Sequence, residues 1–463
     1  MKLDETLLME KYDIAVIGAG PGGIQAALAS DQAGFKTILI EKDFPGGTCL
    51  HSGCIPTKAL LASSKFFTKI LKSDQYGIQK TLLPIPNLPL MQSQKNAIVQ
   101  NLRKALDWRL EKSNVTLSRG QARLNEKRQI LIKGKETVDA ENIILATGSS
   151  PKPFPGIPFD RQKILSSTDI LSLPCIPKSL VIIGGGTIGV EFASFYQALG
   201  TQVTIVEALS RLISFEDPDV SKRLELAFRK NKIQIKTDAH VMKIQPEAEA
   251  MRILLEGGEV IHGEYALVAI GRERNTKNLG LEELNLRFEG TAIHVNSFLE
   301  TSVPHLFAIG DLINAPQLAH AASYEAELIV RNLKSKEKEK IRYDMIPNVI
   351  FSDPQIASIG LTSEKACGQK LNPRELKIPL TAGGKAWIER ESDGFMKLIV
   401  DMPSKQILGA HLIGGDAPEL IGILSLAIQK EMTAHDLARI VFPHPTYSEL
   451  IGELARELAN LSD

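Results

Sequence analysis

The chain has 463 residues, 43% hydrophobic and 23% charged, a soluble globular composition with length for about two to four domains. Fifty-four basic residues balance fifty-four acidic ones, so the formal net charge is zero and no one-signed field is available for nucleic acid or a membrane surface. No apolar run approaches the ~18 residues that a membrane span needs. The first stretch, Met1 to Glu10, lacks a basic segment followed by an apolar core, so no secretory signal is expected. Only four cysteines in so long a chain point to a reducing, cytoplasmic compartment, where a persisting disulfide would be catalytic.

In chain order, Tyr12 to Ile17 reads as a buried strand running into Gly18-Ala19-Gly20-Pro21-Gly22-Gly23 and an alanine-rich helix from Ile24 to Gly34. A second strand, Lys36 to Ile40, ends at Glu41. This is a dinucleotide-binding turn in strand–turn–helix–strand context. Gly18, Gly20 and Gly23 let the backbone approach a pyrophosphate at the helix N-terminus, and Glu41 is placed for ribose hydroxyls.

The next stretch, Pro45 to Lys58, carries Cys49 and Cys54 with four residues between them. On a regular helix such positions are rotated by about 140° and separated by roughly 8–9 Å. A disulfide needs about 4.4–6.8 Å, so pairing requires a distorted backbone, for which Gly46, Gly47 and Gly53 supply freedom. The loop so closed is short, and the chain-entropy gain is only roughly 2 kcal/mol. A strained bond that staples little is a redox device, and the pair reads as a thiol–disulfide switch. The competing readings are two buried thiols or half a metal site. Only His51 lies nearby as a further ligand, and no metal is expected.

Leu82 to Pro89, with three prolines, reads as an irregular loop, and Gln92 to Lys112 as a polar surface helix. The glycine pattern then returns at Leu180 to Gly189, with Gly184, Gly186 and Gly189 followed by a helix to Gly200 and a strand ending at Glu207. From first glycine to acid is 23 residues in both copies (Gly18 to Glu41, Gly184 to Glu207). Each copy ends in a late strand, Ile143 to Gly148 and Leu267 to Gly271. Two copies imply two dinucleotides, and hydride exchange between a flavin and a nicotinamide is their evident use. Cys175 and Cys367 read as packing thiols. Thr301 to Asp311 reads as a strand ending on an acid, and Lys334 to Lys340 as a solvated charged turn at a domain boundary. From about Pro347 the chain alternates in strand fashion to Ile413, with helices from Ala417 to Glu431 and from Tyr447 onward, a separate α+β domain. The helix face Leu420-Ile421-Ile423-Leu424-Leu426-Ala427 is either an interface or an intradomain core face.

These residues together resemble the FAD-dependent pyridine nucleotide–disulfide oxidoreductases, over nearly the whole chain after about residue 11. The motifs carrying the resemblance are Gly46-Gly47-Thr48-Cys49 through Cys54-Ile55-Pro56-Thr57-Lys58, then Ala146-Thr147-Gly148, Ala308-Ile309-Gly310-Asp311 and His444-Pro445-Thr446-Tyr447-Ser448-Glu449. Within the class the dihydrolipoamide dehydrogenases are nearest in pattern, through Leu318-Ala319-His320-Ala321-Ala322 and Asp393-Gly394-Phe395 through Ala417-Pro418-Glu419-Leu420-Ile421. Two departures stand out: His51-Ser52 where many members carry Asn-Val, and Phe442-Pro443 ahead of His444, which bears on the substrate channel.

The resemblance implies an α/β fold of two Rossmann-like domains with a C-terminal α+β dimerisation domain. The expected division is 1–150 for FAD, 151–275 for NAD, 276–345 completing the FAD domain and 346–463 for the subunit interface. It implies that Thr147, Gly148, Asp311 and Ala319 join Gly18, Gly20, Gly23 and Glu41 in holding FAD. Gly184, Gly186, Gly189, Glu207 and Gly271 would hold NAD, which is expected over NADP because Glu207 would repel a 2′-phosphate, with Arg211 a nearby complication. Cys49 would exchange with substrate, Cys54 would face the flavin, and His444, oriented by Glu449, would be the base, lent by the other subunit of a homodimer. Lys58 and Glu191 would pair near the flavin's reactive nitrogen. The implied activity is reoxidation of dihydrolipoyl groups on the lipoyl domains of 2-oxo acid dehydrogenase complexes. The alternatives are a relative with another acceptor, or a non-catalytic flavoprotein scaffold; mercuric reduction is disfavoured because Glu453 to Asp463 holds no cysteine pair.

Overall fold

The computed structural model describes residues 10–462 except Glu136 and Glu249, so the expectation for Met1 to Glu10 lies, Glu10 apart, outside the described residues. The chain forms two compact units. The first takes residues up to Thr57, Ser93–Pro151 and Arg272–Tyr343; the second takes Lys58–Gln92, Lys152–Gly271 and Asp344 onward.

In the first unit, parallel strands lie in the order Thr116–Arg119, Thr37–Glu41, Lys11–Ile17, Thr137–Leu145, Leu306–Ala308. Val16 stands opposite Leu39 on one side and Ile144 on the other. Ile14, Ala15, Val16, Ile143 and Ile144 are fully buried, which explains why these strands are continuous apolar runs without alternation. The long strand Thr137–Leu145 also pairs antiparallel with Ile130–Ile132, which pairs with Ala122–Leu124.

The second unit holds a five-stranded parallel sheet in the order Gln234–Lys236, Gln202–Val206, Ser179–Ile183, Tyr265–Val268, Ile164–Leu165. A five-stranded antiparallel sheet follows, in the order Asn348–Ile350, Ile356–Gly360, Ile407–Ile413, Phe395–Asp401, Pro373–Pro379. Asn348, Ser358, His411 and Lys397 stand opposite one another across its strands. This polar row meets the acidic turn ahead of helix Pro218–Lys230. Lys397 Nζ lies 2.9 Å from both Asp217 Oδ1 and Asp219 Oδ2, while Asn348 and Ser358 donate to Glu216 Oε1 at 2.6 and 3.0 Å. Lys397 and Asp217 are almost wholly buried, so truncating Lys397 would leave the Asp217 carboxylate buried without its cation, whereas Lys397 also has Asp219.

Local detail departs from the sequence reading at two helix starts and decides between the alternatives for one helix face. The polar helix spans Leu88–Glu111, taking in the end of the expected loop, because Asn87 Oδ1 accepts from Leu90 N at 3.0 Å and caps it early. The final helix starts at Glu449, after Ser448. Helix Ala417–Gln429 turns Leu420, Ile421, Leu424 and Ala427 into its own domain's core, leaving Leu426 55% exposed, so that face is chiefly intradomain. No helix among the described residues is long and apolar enough to cross a membrane.

Candidate active site

The two glycine turns share one geometry. Gly18 N–H donates to Ile40 O and Gly184 N–H to Val206 O, both at 2.8 Å. Both first glycines have positive φ, +102° and +111°, a region that glycine enters without steric cost. A Cβ on Gly23 would stand 1.8 Å from Gly18 O, and one on Gly189 would stand 2.0 Å from Gly184 O, so the third glycine lets the helix begin against the turn. Glu41 accepts from Ala19 N at 2.7 Å and Asp43 N at 2.8 Å. Glu207 does the same with Gly185 N at 2.5 Å and Leu209 N at 2.8 Å. Each carboxylate oxygen keeps a further acceptor direction. Arg211 donates to Ser214 O at 2.8 Å.

From Glu41 the chain folds back on the first turn, Gly46 N–H donating to Ala19 O at 2.8 Å. Cys49 lies in helix Gly47–Ser52 and Cys54 opens helix Cys54–Leu71, both half-buried. Gly53 between them has φ −139° and ψ −110°, which interrupts the helical path. A Cβ there would come within 2.9 Å of Thr48 O. Thr57 Oγ1 donates to Gly53 O at 2.6 Å and secures the restart. His51, one of the unusual residues, hydrogen-bonds through Nε2 to Pro45 O at 2.8 Å, so it braces the loop entering the cysteine helix.

Lys58 follows Cys54 by one turn of the same helix. Its ammonium meets both Glu191 oxygens at 2.8 and 2.9 Å. Glu191 is 2% exposed and also accepts from Phe351 N at 2.9 Å. His444 Nδ1 lies 2.9 Å from Glu449 Oε1, and the imidazole is 79% exposed. Glu449 Oε2 accepts from Thr446 N at 2.8 Å. That N–H first, and His444 second, hold the Glu449 carboxyl below its ordinary pKa. The unusual Phe442 packs beside Gly452 of the following helix, anchoring the approach to His444: a Cβ on Gly452 would stand 2.8 Å from its ring.

Around the later motif the structure adds residues that the sequence reading missed. Asp311 accepts from Ser149 Oγ, and Arg272 Nε donates to that hydroxyl at 2.6 Å while lying 3.6 Å from Asp311 Oδ2. These residues meet because Ser149–Pro151 pairs antiparallel with Arg272–Arg274, a long-range contact whose only signal in sequence is that Arg272 directly follows Gly271. Thr147 Oγ1 donates to Asn275 O at 2.8 Å beside Gly148. Ala319 opens helix Ala319–Lys334, on which Glu325 is fully buried behind Gly310. Glu325 accepts from Gly310 N at 2.6 Å and Tyr343 Oη at 3.0 Å, and burial pushes its carboxyl up to about 7.

The first unit thus gathers Gly18, Gly20, Gly23, Glu41, Cys49, Cys54, Thr147, Gly148, Asp311 and Ala319. The second holds Lys58, Gly184, Gly186, Gly189, Glu191, Glu207, Gly271, His444 and Glu449. Among the described residues, no group of three or more His, Cys, Asp or Glu side chains is arranged to hold a metal.

Two glycine turns of one geometry and a cysteine pair define a flavin- and nicotinamide-linked disulfide redox protein. Residues 12–326 match the family described as pyridine nucleotide-disulphide oxidoreductase, and residues 346–455 match its dimerisation domain. The chain belongs to this family and carries that dimerisation domain, which a homodimer fits. It is 40% identical over 451 residues to a dihydrolipoyl dehydrogenase of Chlamydia trachomatis, covering 96% of each chain. It is 36% identical to dihydrolipoyl dehydrogenase 3 of Pseudomonas putida, covering 98% of this chain and 99% of that one. Among solved structures, LpdA from Mycobacterium tuberculosis shares the fold with a TM-score of 0.91 at 24% identity, covering 97% of this chain and 100% of that one. The HOCl-induced flavoprotein disulfide reductase RclA of Escherichia coli has a TM-score of 0.85 at 27% identity, covering 96% of this chain and 99% of that one.

The enzymes of this family work with FAD and NAD(H), and the residues present fit both. Helices Pro21–Gln32 and Thr187–Ala198 begin at Gly20 and Gly186, whose side-chain-free caps leave the first N–H groups to an outside acceptor. A Cβ built on either cap glycine would meet nothing within 4 Å, which leaves room for a phosphate group.

Proposed function

We propose that this chain is a dihydrolipoyl dehydrogenase that reoxidises dihydrolipoyl groups on the lipoyl domains of 2-oxo acid dehydrogenase complexes, in the cytoplasm, with NAD as final acceptor. The observation that carries the reading is the cysteine segment: Cys49 and Cys54 lie on successive helices interrupted at Gly53, and Gly46 is hydrogen-bonded to the first dinucleotide turn. The relatives named above support the substrate, and the low cysteine count supports the compartment. We assign 1–150 and 276–345 to FAD, 151–275 to NAD and 346–463 to the subunit interface.

In this reading Cys49 and Cys54 form the resting disulfide. A dihydrolipoyl thiolate attacks Cys49 Sγ, breaking the Cys49–Cys54 bond and leaving Cys54 as thiolate. The second lipoyl sulfur then attacks the lipoyl sulfur of the mixed disulfide, closing the lipoyl ring and releasing the Cys49 thiolate. The lipoyl dithiol loses two electrons and the protein disulfide gains them. His444 of the other subunit takes the proton from the attacking lipoyl thiol, releases it to solvent and then takes the proton from the second thiol, while Glu449 holds its Nδ1 so that Nε2 faces the thiol. FAD, held by the residues around Gly18, Gly20 and Gly23, would supply the two-electron chemistry that links the protein dithiol to NAD. Lys58, held by Glu191, offers positive charge where negative charge develops.

The test is NAD reduction by dihydrolipoamide with the purified protein. Turnover lost in Cys54→Ser and in His444→Ala, and partly restored by co-refolding Cys49→Ser with His444→Ala, supports the reading. For random pairing about a quarter of total site activity returns. Failure to oxidise dihydrolipoamide overturns the substrate assignment. No recovery in verified mixed dimers overturns the shared site.

A further inference from the structure

The ion pair Lys58–Glu191 is held by a third residue from outside its own helices. Strand Asn348–Ile350 ends and the chain turns onto helix Thr187–Ala198, where Phe351 N–H donates to Glu191 Oε1 at 2.9 Å and Asp353 N–H to Ser194 Oγ at 3.1 Å. Glu191 and Ser194 are three residues apart, on one face of that helix. The two bonds therefore hold a short loop at Phe351 and at Asp353, which fixes Phe351 in position. Its ring then covers the Lys58 ammonium, with Nζ 5.0 Å from the ring centroid.

We propose that Phe351 is a positioning residue for Lys58, acting through the face of its ring and through its N–H on Glu191; this rests on the reading of Lys58 given above. The two contacts act on the same charge. Glu191 Oε1 divides its acceptor capacity between Lys58 Nζ at 2.9 Å and the Phe351 N–H, so it neutralises the ammonium less completely than an otherwise bare buried carboxylate would. The ring face attracts the cation from a second side and excludes water from part of it, since the Lys58 side chain is only 31% exposed. A lysine on a four-carbon stem would otherwise sample many rotamers. Held between carboxylate and ring, its charge is presented in one place, where it stabilises the reduced, anionic flavin.

The readout is the midpoint potential of bound FAD, which a purely structural role would not move. Phe351→Met keeps the volume and the N–H but removes the aromatic face, and the expected result is a lower potential at unchanged FAD stoichiometry. Phe351→Tyr keeps the face and is expected to hold the wild-type potential. Phenylalanines with one, two and three ring fluorines at position 351 keep the shape while weakening the face, and are expected to lower the potential stepwise. Lys58→Met separates the two levels. If it lowers the potential while the fluorinated series leaves it flat, the Phe351 role is overturned and the Lys58 reading stands. If Lys58→Met leaves the potential unchanged, the reading of Lys58 itself fails.

Discussion

The two glycine turns differ least in their own geometry and most where the chain goes next. In both, the segment after the strand-end glutamate returns to donate an N–H to the turn's second residue: Gly46 to Ala19 O and Ile213 to Gly185 O, each at 2.8 Å. In the first copy the returning residues are glycines, Gly46 and Gly47 at φ +113° and +55°, and they lead into the cysteine helix. In the second they are Leu212 and Ile213, both buried, and they lead into the acidic turn that grips Lys397. The packing leucine dictates the turn itself: a Cβ at Gly185 would stand 2.5 Å from Leu212 Cδ2, whereas Ala19 is accommodated in the first copy. The same scaffold therefore serves chemistry or packing according to one short return segment.

The largest expected effect separates the two turns. Gly23→Ala and Gly189→Ala each drive a methyl into a backbone oxygen that cannot yield, at 1.8 and 2.0 Å. Gly23→Ala is expected to purify without flavin absorbance. Gly189→Ala is expected to keep its flavin while KM for NAD rises at least about tenfold, or ~1.4 kcal/mol. Loss of flavin from both variants would break the division of labour between the turns.

The late motif of the first unit offers a comparison of stability with pH. Burial raises Glu325 to about 7, above its value in the unfolded chain, so the folded protein binds the extra proton between about pH 4.5 and 7. The sign follows: its contribution is least unfavourable in acid and worsens by about 3 kcal/mol as pH rises through that window. Glu325→Gln should abolish that slope in urea unfolding of the holoprotein. A wild-type and variant pair with parallel pH profiles would show that Glu325 does not titrate there.

A smaller effect concerns coenzyme choice. Glu207→Ala removes the carboxylate that would face a 2′-phosphate, and the preference for NAD in kcat/KM is expected to shrink about tenfold. An unchanged ratio would move specificity to Arg211 or elsewhere.

A separate effect, on stability alone, is at Ile213, a β-branched residue at φ +42° where the first copy uses glycine. Ile213→Gly relieves about 1–2 kcal/mol of backbone strain but removes a buried side chain worth about 2–5 kcal/mol. A net loss of about 1–3 kcal/mol is expected in urea unfolding. A stabilised variant would show that strain outweighs packing in the second return.

Sequence by itself determined whatever rests on local pattern. The glycine spacing with its terminal glutamates, Glu41 and Glu207, needs only a strand, a turn and a helix in succession, and each element is written in the residues that form it. The α+β character beyond Pro347 was legible for the same reason. Motif resemblance extended this to Asp311 and to His444 with Glu449. Tertiary structure decided what depends on partners far along the chain. The polar row Asn348–Ser358–His411–Lys397 reads as unremarkable strand residues until register sets it across one sheet beneath Glu216 and Asp217. Helical periodicity showed that Ala417–Gln429 has an apolar face, but which surface covers it depends on the sheet it packs against. Ser149 with Arg272, Glu325 with Gly310, and Phe351 with Lys58 are pairs of ordinary residue types. Their interactions arise from distances of a few ångströms across many residues of sequence, and no local propensity encodes such a distance.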